Sequence, residues 1–439
     1  MSRKQWLALT MALVLCLGIL AGCGDSGTTT PAGTTPADTA PADNAPADSA
    51  PPPAPAPAPA DEIVELKMAY WANAAEEAYF QSMSAGIESE YPNIRITHQV
   101  FPSSADFWTT IPVAIAAGTG PDIIAFSDEG NAEYMANGVL APLEGLFDPV
   151  GFDKAKFLPS LWSGWTYDGN IYGVPYDTST SMLSINKAMM DAAGLTGIPE
   201  TMDELLEWAK AMTTGDTYGI CIWLMEFHLS QFVHAFGGGW GNGRTIDTPE
   251  NERGLQFVVD LFTVHNVAIT PQEAGAAWDG ETFSRGASAM STGGPWYVGF
   301  LADAAPDLDF IAVPIPTGTV ARQSAYSHGF SVTASSNYQY EAMQAIKYMT
   351  RDEIQIVGID QVGYCPAVES LIPQYVDSMP LLQPIYANLG SNGTPFSYPV
   401  QTVEFTAELA AGMEELIFNP GSGLTVKALL TDLQQRFGS

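Results

Sequence analysis

Basic side chains are scarce in this chain: 16 Lys and Arg stand against 49 Asp and Glu in 439 residues, a formal net charge of −33. A surface that acidic repels phosphate backbones and anionic headgroups, which argues against nucleic acid and against peripheral membrane binding as functions. Cysteine is nearly missing, with four in all. Cys16 and Cys23 lie near the start, so only Cys221 and Cys365 remain, without metal-ligand spacing. In an oxidising exterior they either pair or stay as two buried thiols. Long apolar runs are absent but for one, Trp6 to Leu20. It is shorter than the ~20 residues a spanning helix needs.

That one run follows Arg3 and Lys4 and ends in Leu20-Ala21-Gly22-Cys23. A charged start, an apolar stretch and a small-residue cleavage site make a secretory signal. The four closing residues resemble the lipobox of bacterial lipoproteins. The resemblance implies that residues 1–22 are removed and Cys23 becomes the acylated first residue. The protein is then expected on the extracellular face of the cell membrane, held through the lipid on Cys23 only. From Gly24 to about Ala60 large apolar side chains are almost absent, and ten of the 32 prolines fall there. Such a stretch cannot offset its ordering entropy by burial, so residues 23–60 read as a disordered tether. Its proline-rich, extended form reaches on the order of 100 Å at full stretch.

The remaining length, from Asp61 to Ser439, exceeds what one core usually serves, so two domains are expected. Strand-like and helix-like segments alternate there. Glu62–Trp71 reads as a strand, Glu76–Glu90 as a helix, and Ile94–Val100 as a strand. Asp106–Ala117 is helical until Gly118-Thr119-Gly120-Pro121 breaks it, and Asp122–Phe126 is a third strand. This is the pattern of a doubly wound α/β lobe, whose ligand crevice lies beyond the carboxyl ends of the strands. The loops after Trp71 and Phe126 therefore face one crevice. Gly237–Gly243 lacks the lysine and spacing of a phosphate loop, and Gly118–Pro121 leads into a strand rather than a helix. No serine elbow, zinc helix or catalytic cysteine setting is present, and no metal or cofactor is called for.

Four stretches, in order, carry a resemblance: Ala116–Ile124 (AAGTGPDII); Ile171–Thr180 (IYGVPYDTST) with Ile185-Asn186-Lys187; Phe283–Met290 (FSRGASAM) with Gly293-Gly294-Pro295-Trp296; and Gly329-Phe330-Ser331-Val332. They resemble the extracellular solute-binding proteins of sugar-type ABC importers, the maltose-binding class. The resemblance implies two α/β lobes of the type II periplasmic-binding-protein kind joined by a multi-stranded hinge. Residues 61–174 with 314–352 would form the N-terminal lobe, and 175–313 with 353–439 the C-terminal lobe. The crossings would be Tyr172–Tyr176, Phe310–Pro314 and one after the helix Tyr340–Arg351. It further implies a monomer that closes by hinge bending on a carbohydrate and delivers it to ABC transporter permease subunits.

A pyranose offers one apolar C–H face and a rim of hydroxyls, so it needs an aromatic platform with polar partners around it. Carboxylates suit the rim, because an ionised acceptor makes the stronger bond. Trp296, after the Gly293-Gly294-Pro295 turn, matches the family's stacking tryptophan; its alternative is a core residue at the interlobe seam. Trp71 ends the first strand, with Asn73 and Glu76 on the next turn, and is either a ligand contact or a lid on the core. Asp128 and Glu129 follow the third strand, as hydroxyl acceptors or as solvated loop acids. Tyr176 and Asp177 lie at the first crossing, beside the crevice or capping the hinge. In the far lobe Trp223, Glu226 and His228 precede the Gly237-Gly238-Gly239-Trp240 turn. Trp240 would form a second wall, and Tyr398 with Gln401 the last subsite, while His228 reads as structural. A receptor for a polyamine or other cation shares this layout, and a glycoside-acting enzyme would need two carboxyls flanking one bond.

Overall fold

In Val64–Trp71 (β1), Val64, Leu66, Met68 and Tyr70 pack into one core while Ala69 packs into another on the opposite face. A strand buried on both sides in this way belongs inside a sheet covered by helices on each face. The computed structural model describes residues 57–59, 62–72, 74–102, 104–387 and 389–439. The leader, Cys23 and the tether as far as residue 56 lie outside the described residues. The tether's last described stretch, 57–59, differs from the expectation of a free linker. Ala58 packs against the core, and its N–H donates to Glu341 Oε1 at 2.6 Å.

After β1 come β2 (Ile94–Phe101) and β3 (Ile123–Ser127). A small hairpin, β4 (Thr166–Tyr167) and β5 (Asn170–Ile171), leads into β6 (Val174–Pro175), β7 (Asp177–Thr180) and β8 (Met182–Asn186). Then follow β9 (Tyr218–Cys221), β10 (Ala268–Ile269), β11 (Ser288–Gly293) and β12 (Phe310–Val313). The chain returns through β13 (Gln323–Tyr326) to β14 (His328–Val332) and ends its strands at β15 (Cys365–Pro366) and β16 (Gly393–Thr394). The first sheet has the order β2-β1-β3-β14-β6 and the second β10-β9-β11-β8-β12. A third, β15-β7-β13-β16, lies between them in the chain path, because β7 and β13 each connect a strand of one sheet to a strand of the other. These are the two α/β lobes and the multi-stranded hinge.

Two crossings differ from expectation. Phe310–Val313 pairs antiparallel with β8 as an edge of the second sheet, and the chain enters the third sheet only at Gln323. The helix Asp352–Val362 packs on Ala74–Ser84 of the first lobe, so the third passage begins later than Arg351. The helix expected over Glu76–Glu90 is broken in two, Ala74–Ser84 and Ile87–Glu90, by Gly86 at φ 83°. A left-handed residue there cannot continue a helix. Cys221 and Cys365 are buried free thiols in different sheets.

Trp165 explains two of the glycine motifs. Its ring is fully buried, and a side chain at Gly173 or at Gly329 would run into it. The glycines of the Tyr-Gly-Val-Pro and Gly-Phe-Ser-Val stretches thus let one indole lie flat against both chain segments. Its Nε1–H donates to Ser327 Oγ at 2.8 Å, so the buried indole keeps a partner.

Candidate functional site

Two adjoining cavities, about 450 and 760 Å³, open between the lobes and share Trp71 and His328 on their walls. The smaller has Glu76, Tyr176 and Asp177 on one side and Pro295 and Trp296 on the other. The larger is walled by Trp71, Trp108, Glu129 and Glu133 from the first lobe and by Glu226 and Tyr398 from the second. Their shared edge follows from topology. Trp71 stands where the parallel strand β1 ends, and β14 runs antiparallel, so it begins at the edge where β3 ends. His328 is paired in register with Ser127 there.

His328 was not singled out from the sequence, yet both its backbone and its ring are held by Asp177. Its backbone N–H donates to Asp177 Oδ1 at 2.6 Å, and its Nδ1 lies 2.9 Å from Asp177 Oδ2. Burial disfavours its charge, but Asp177 above all, then Glu129 and Asp128, outweigh burial and raise its pKa to about 9. The ring is therefore an imidazolium at neutral pH. It lies among Trp71, Tyr176 and Tyr364, with centroids at 6.3, 6.1 and 6.4 Å. The only signal for it in the sequence is its place directly before the Gly-Phe-Ser-Val stretch.

Trp296 is the first residue of the helix Trp296–Ala304 and is 40% exposed, on the wall of the smaller cavity. Gly294 lets the indole fold back over the turn, where any side chain would collide with it, and Gly293 does the same for Tyr297. The ring packs at 5.3 Å from Phe227 and is not a core residue. Trp71 packs edge-on against Phe107 at 5.0 Å and beside Trp108 at 5.8 Å, and it remains partly open to both cavities. Trp108, unforeseen as a wall, leans over Gly130 in a space that any side chain there would fill.

The acids divide into committed and available groups. Asp128 accepts from the backbone N–H and the hydroxyl of Ser327, both at 3.2 Å, in a relay that begins at Trp165. It lines neither large cavity, and burial, then the charge of Glu129, push its pKa well up. The expectation of a free hydroxyl acceptor at Asp128 is corrected: a serine about 200 residues away has claimed it. Asp177 is buried and committed to His328, while Tyr176 lies tilted against Phe330 at 4.7 Å; both still reach the smaller cavity. Glu129 holds Ser127 Oγ at 3.1 Å and faces the larger cavity. Its pKa is raised by burial and then by Glu226, and that of Glu226 is raised by burial.

Trp240 is a second correction. It is fully buried, its Nε1 donating to Ser230 Oγ at 2.9 Å, and it packs edge-on against Phe405. The glycines before it wrap the buried side chain of Asn251, which bonds Gly239, Thr245 and Ile246. They serve loop packing, not ligand approach. Trp223 opens on a separate pocket of the second lobe with Thr270 and Phe418. His228 is structural as expected, buried against Thr292 at 3.0 Å. Tyr398 lines the larger cavity, while Asn73 lies outside the described residues. Among the described residues no three His, Cys, Asp or Glu side chains converge to hold a metal ion, and no helix is long and apolar enough to cross a membrane.

The profile of a family described as bacterial extracellular solute-binding protein matches residues 66–356. The maltotriose-binding protein of Pyrococcus abyssi is 26% identical over 259 residues, covering 57% of this chain and 53% of that one. The arabinooligosaccharide-binding protein of Halalkalibacterium halodurans is 28% identical over 269 residues, covering 57% and 59%. The matches thus span little more than half the length of either relative. The ABC substrate-binding protein Lmo0181 from Listeria monocytogenes, solved with cycloalternan, superposes with a TM-score of 0.71 at 20% identity. That superposition covers 86% of this chain and 98% of that one.

Proposed function

Because the chain belongs to the bacterial extracellular solute-binding proteins, a family of receptors, we propose that it captures a carbohydrate, an oligosaccharide, between its lobes. Hinge closure then presents the loaded receptor to the permease subunits of an ABC importer. The observation that carries this reading is Trp296, an exposed indole on the far wall of a cavity that has Trp71, Glu76 and Asp177 on the near one. An aromatic face with acceptors around it is what a pyranose needs. The oligosaccharide ligands in the names of the two relatives support the same class. Trp71, Tyr176, Asp177, Glu129, Glu226, Tyr398 and Trp296 are proposed to contact the solute or the residues that do. Two adjoining cavities suit a ligand of several rings.

The test is a thermal-shift and tryptophan-fluorescence screen of oligosaccharides against putrescine, spermidine and divalent cations. An oligosaccharide is expected to raise the melting temperature and shift the emission, with no product on chromatography after hours. Turnover would replace the receptor reading with an enzyme, and a response to polyamines alone would replace the sugar.

We further propose that Cys23 carries the lipid that holds the receptor to the membrane, and that the protein acts as a monomer. Cys23→Ala is expected to release the protein into the medium or block its maturation, while the soluble chain from Asp61 keeps full affinity. Retention in the membrane fraction of a Cys23→Ala protein whose leader has been removed would refute the anchor.

A further inference from the structure

The cleft has many acceptors and few strong donors. Among the described residues neither lysine nor arginine lines the two cavities, and His328, on the wall they share, is the one cationic side chain. A sugar hydroxyl carries one hydrogen and two lone pairs. Wall carboxylates take the hydrogens and leave the lone pairs unmatched, so rings held between such walls need a donor as well.

The geometry of His328 supplies one. Asp177 holds it twice, Oδ1 accepting the backbone N–H at 2.6 Å and Oδ2 the ring Nδ1–H at 2.9 Å. Nδ1 therefore keeps its hydrogen whether the ring is charged or neutral, and the ring cannot turn over without breaking that bond. Among the described residues nothing hydrogen-bonds the other nitrogen, Nε2, and it is not one of the buried orphan atoms. With 28% of the side chain accessible, Nε2 is open to the space where the cavities meet. On the charged ring Nε2 is a donor; on the neutral ring, with the hydrogen retained at Nδ1, it is a bare acceptor. Asp177 faces the ring from β7, Asp128 and Glu129 from the end of β3, and Tyr176 and Tyr364 from the chain before β7 and β15. Glu76 on the helix Ala74–Ser84 and Glu226 across the larger cavity complete its titratable surroundings. Burial, above all, pushes both tyrosines up, so they stay neutral while His328 loses its proton near pH 9.

We propose that His328 is an anchoring donor for the solute, its Nε2–H meeting an oxygen of the sugar ring that bridges the two cavities, and that capture therefore weakens in alkaline solution. This rests on the carbohydrate reading and adds a contact to it. The test is calorimetry at pH 7.5 and 10 with maltotriose, arabinotriose, mannotriose and spermidine. A sugar that binds at pH 7.5 is expected to lose roughly fivefold in affinity by pH 10, as a charge-assisted hydrogen bond gives way to a neutral one. Binding and protonation are linked, so in ¹⁵N spectra of the native protein the His328 midpoint should rise by about one pH unit when the same sugar saturates it. His328→Gln, whose amide donates at any pH, should show no alkaline decline. Asp177→Asn should lose the decline for a different reason. The backbone N–H keeps the amide oxygen, the amide NH₂ turns to Nδ1, and the ring hydrogen moves to Nε2 at every pH. A His328 that only packs would leave its midpoint unmoved by sugar. That result, an affinity constant with pH, or a decline that persists in both variants overturns the donor and leaves the carbohydrate reading standing. Binding of spermidine alone, or of nothing in the panel, overturns the carbohydrate reading and the donor with it.

Discussion

Trp296→Ala is expected to weaken solute binding by roughly 30- to 1,000-fold while barely changing the melting temperature of the empty protein. The two halves of this result come from one observation. The indole is 40% exposed, packed on Phe227 and its own glycine turn, so the folded lobe loses little when it is removed. In the proposed closed cleft the same ring would be covered by ligand. Losing an aromatic anchor in a desolvated site costs on the order of 2–4 kcal/mol, and about 1.4 kcal/mol is tenfold in affinity. Trp296→Phe should recover part of the loss, since a smaller ring still offers a face. Affinity by calorimetry and melting by scanning fluorimetry on the same two variants decide the matter. An early melting transition with near-normal affinity would make Trp296 a packing residue instead.

Raising the pH from 6 to 9.5 is expected to remove about 2 kcal/mol of stability through His328. Its folded pKa is about 9 against an ordinary 6.5. A cation favoured by the fold stabilises it fully below pH 6.5, and that contribution fades as pH climbs through 9. The shift alone corresponds to about 3.4 kcal/mol. With 28% of the side chain accessible, solvent screening reduces this, and about 2 kcal/mol is the working figure. His328→Gln should be less stable at pH 6 by a similar amount and should lack this descending limb. Subtracting the variant's urea midpoints from those of the native protein at pH 6, 7.5 and 9.5 isolates the residue from other titrations. A difference that stays constant across that range would disprove the ion pair's role. His234, buried beside Ser324 with a pKa depressed to about 3 by burial, acts in the opposite window. Its neutral form is the one the fold prefers, so its contribution is lost as pH falls from 6.5 toward 3.

The first three strands were legible because local signals set them. Alternating apolar residues at Val64–Tyr70 and the Gly-Thr-Gly-Pro break before Ile123 mark β1 and β3 almost to the residue. Thr425, a residue type that favours helix starts, is the N-cap of the last helix, Val426–Phe437, with its hydroxyl accepting from Ala428 N. What escaped reading depends on partners far away in sequence. Asp128 looks free until Ser327 arrives, and Trp240 looks accessible until Asn251 fills the glycine loop. β12 resembles a passage between lobes until β8 pairs with it. His328 carries no local pattern at all; an antiparallel strand inserted beside β3 brings it to the cleft. The turn that presents Trp296 was legible because two glycines and a proline fix it within four residues.

The place of β14 also sets a schedule. In the first sheet it sits between β3 and β6, yet it is made last, after every strand of the second sheet. A chain leaving the ribosome at about 5–20 residues per second completes β3 on the order of ten seconds or more before residue 332 appears. Throughout that interval the edge of Ile123–Ser127, buried at every position in the finished protein, has no neighbour. Open apolar edges recruit other chains, so a chain whose first lobe has formed without residues 328–332 is expected to aggregate through that edge.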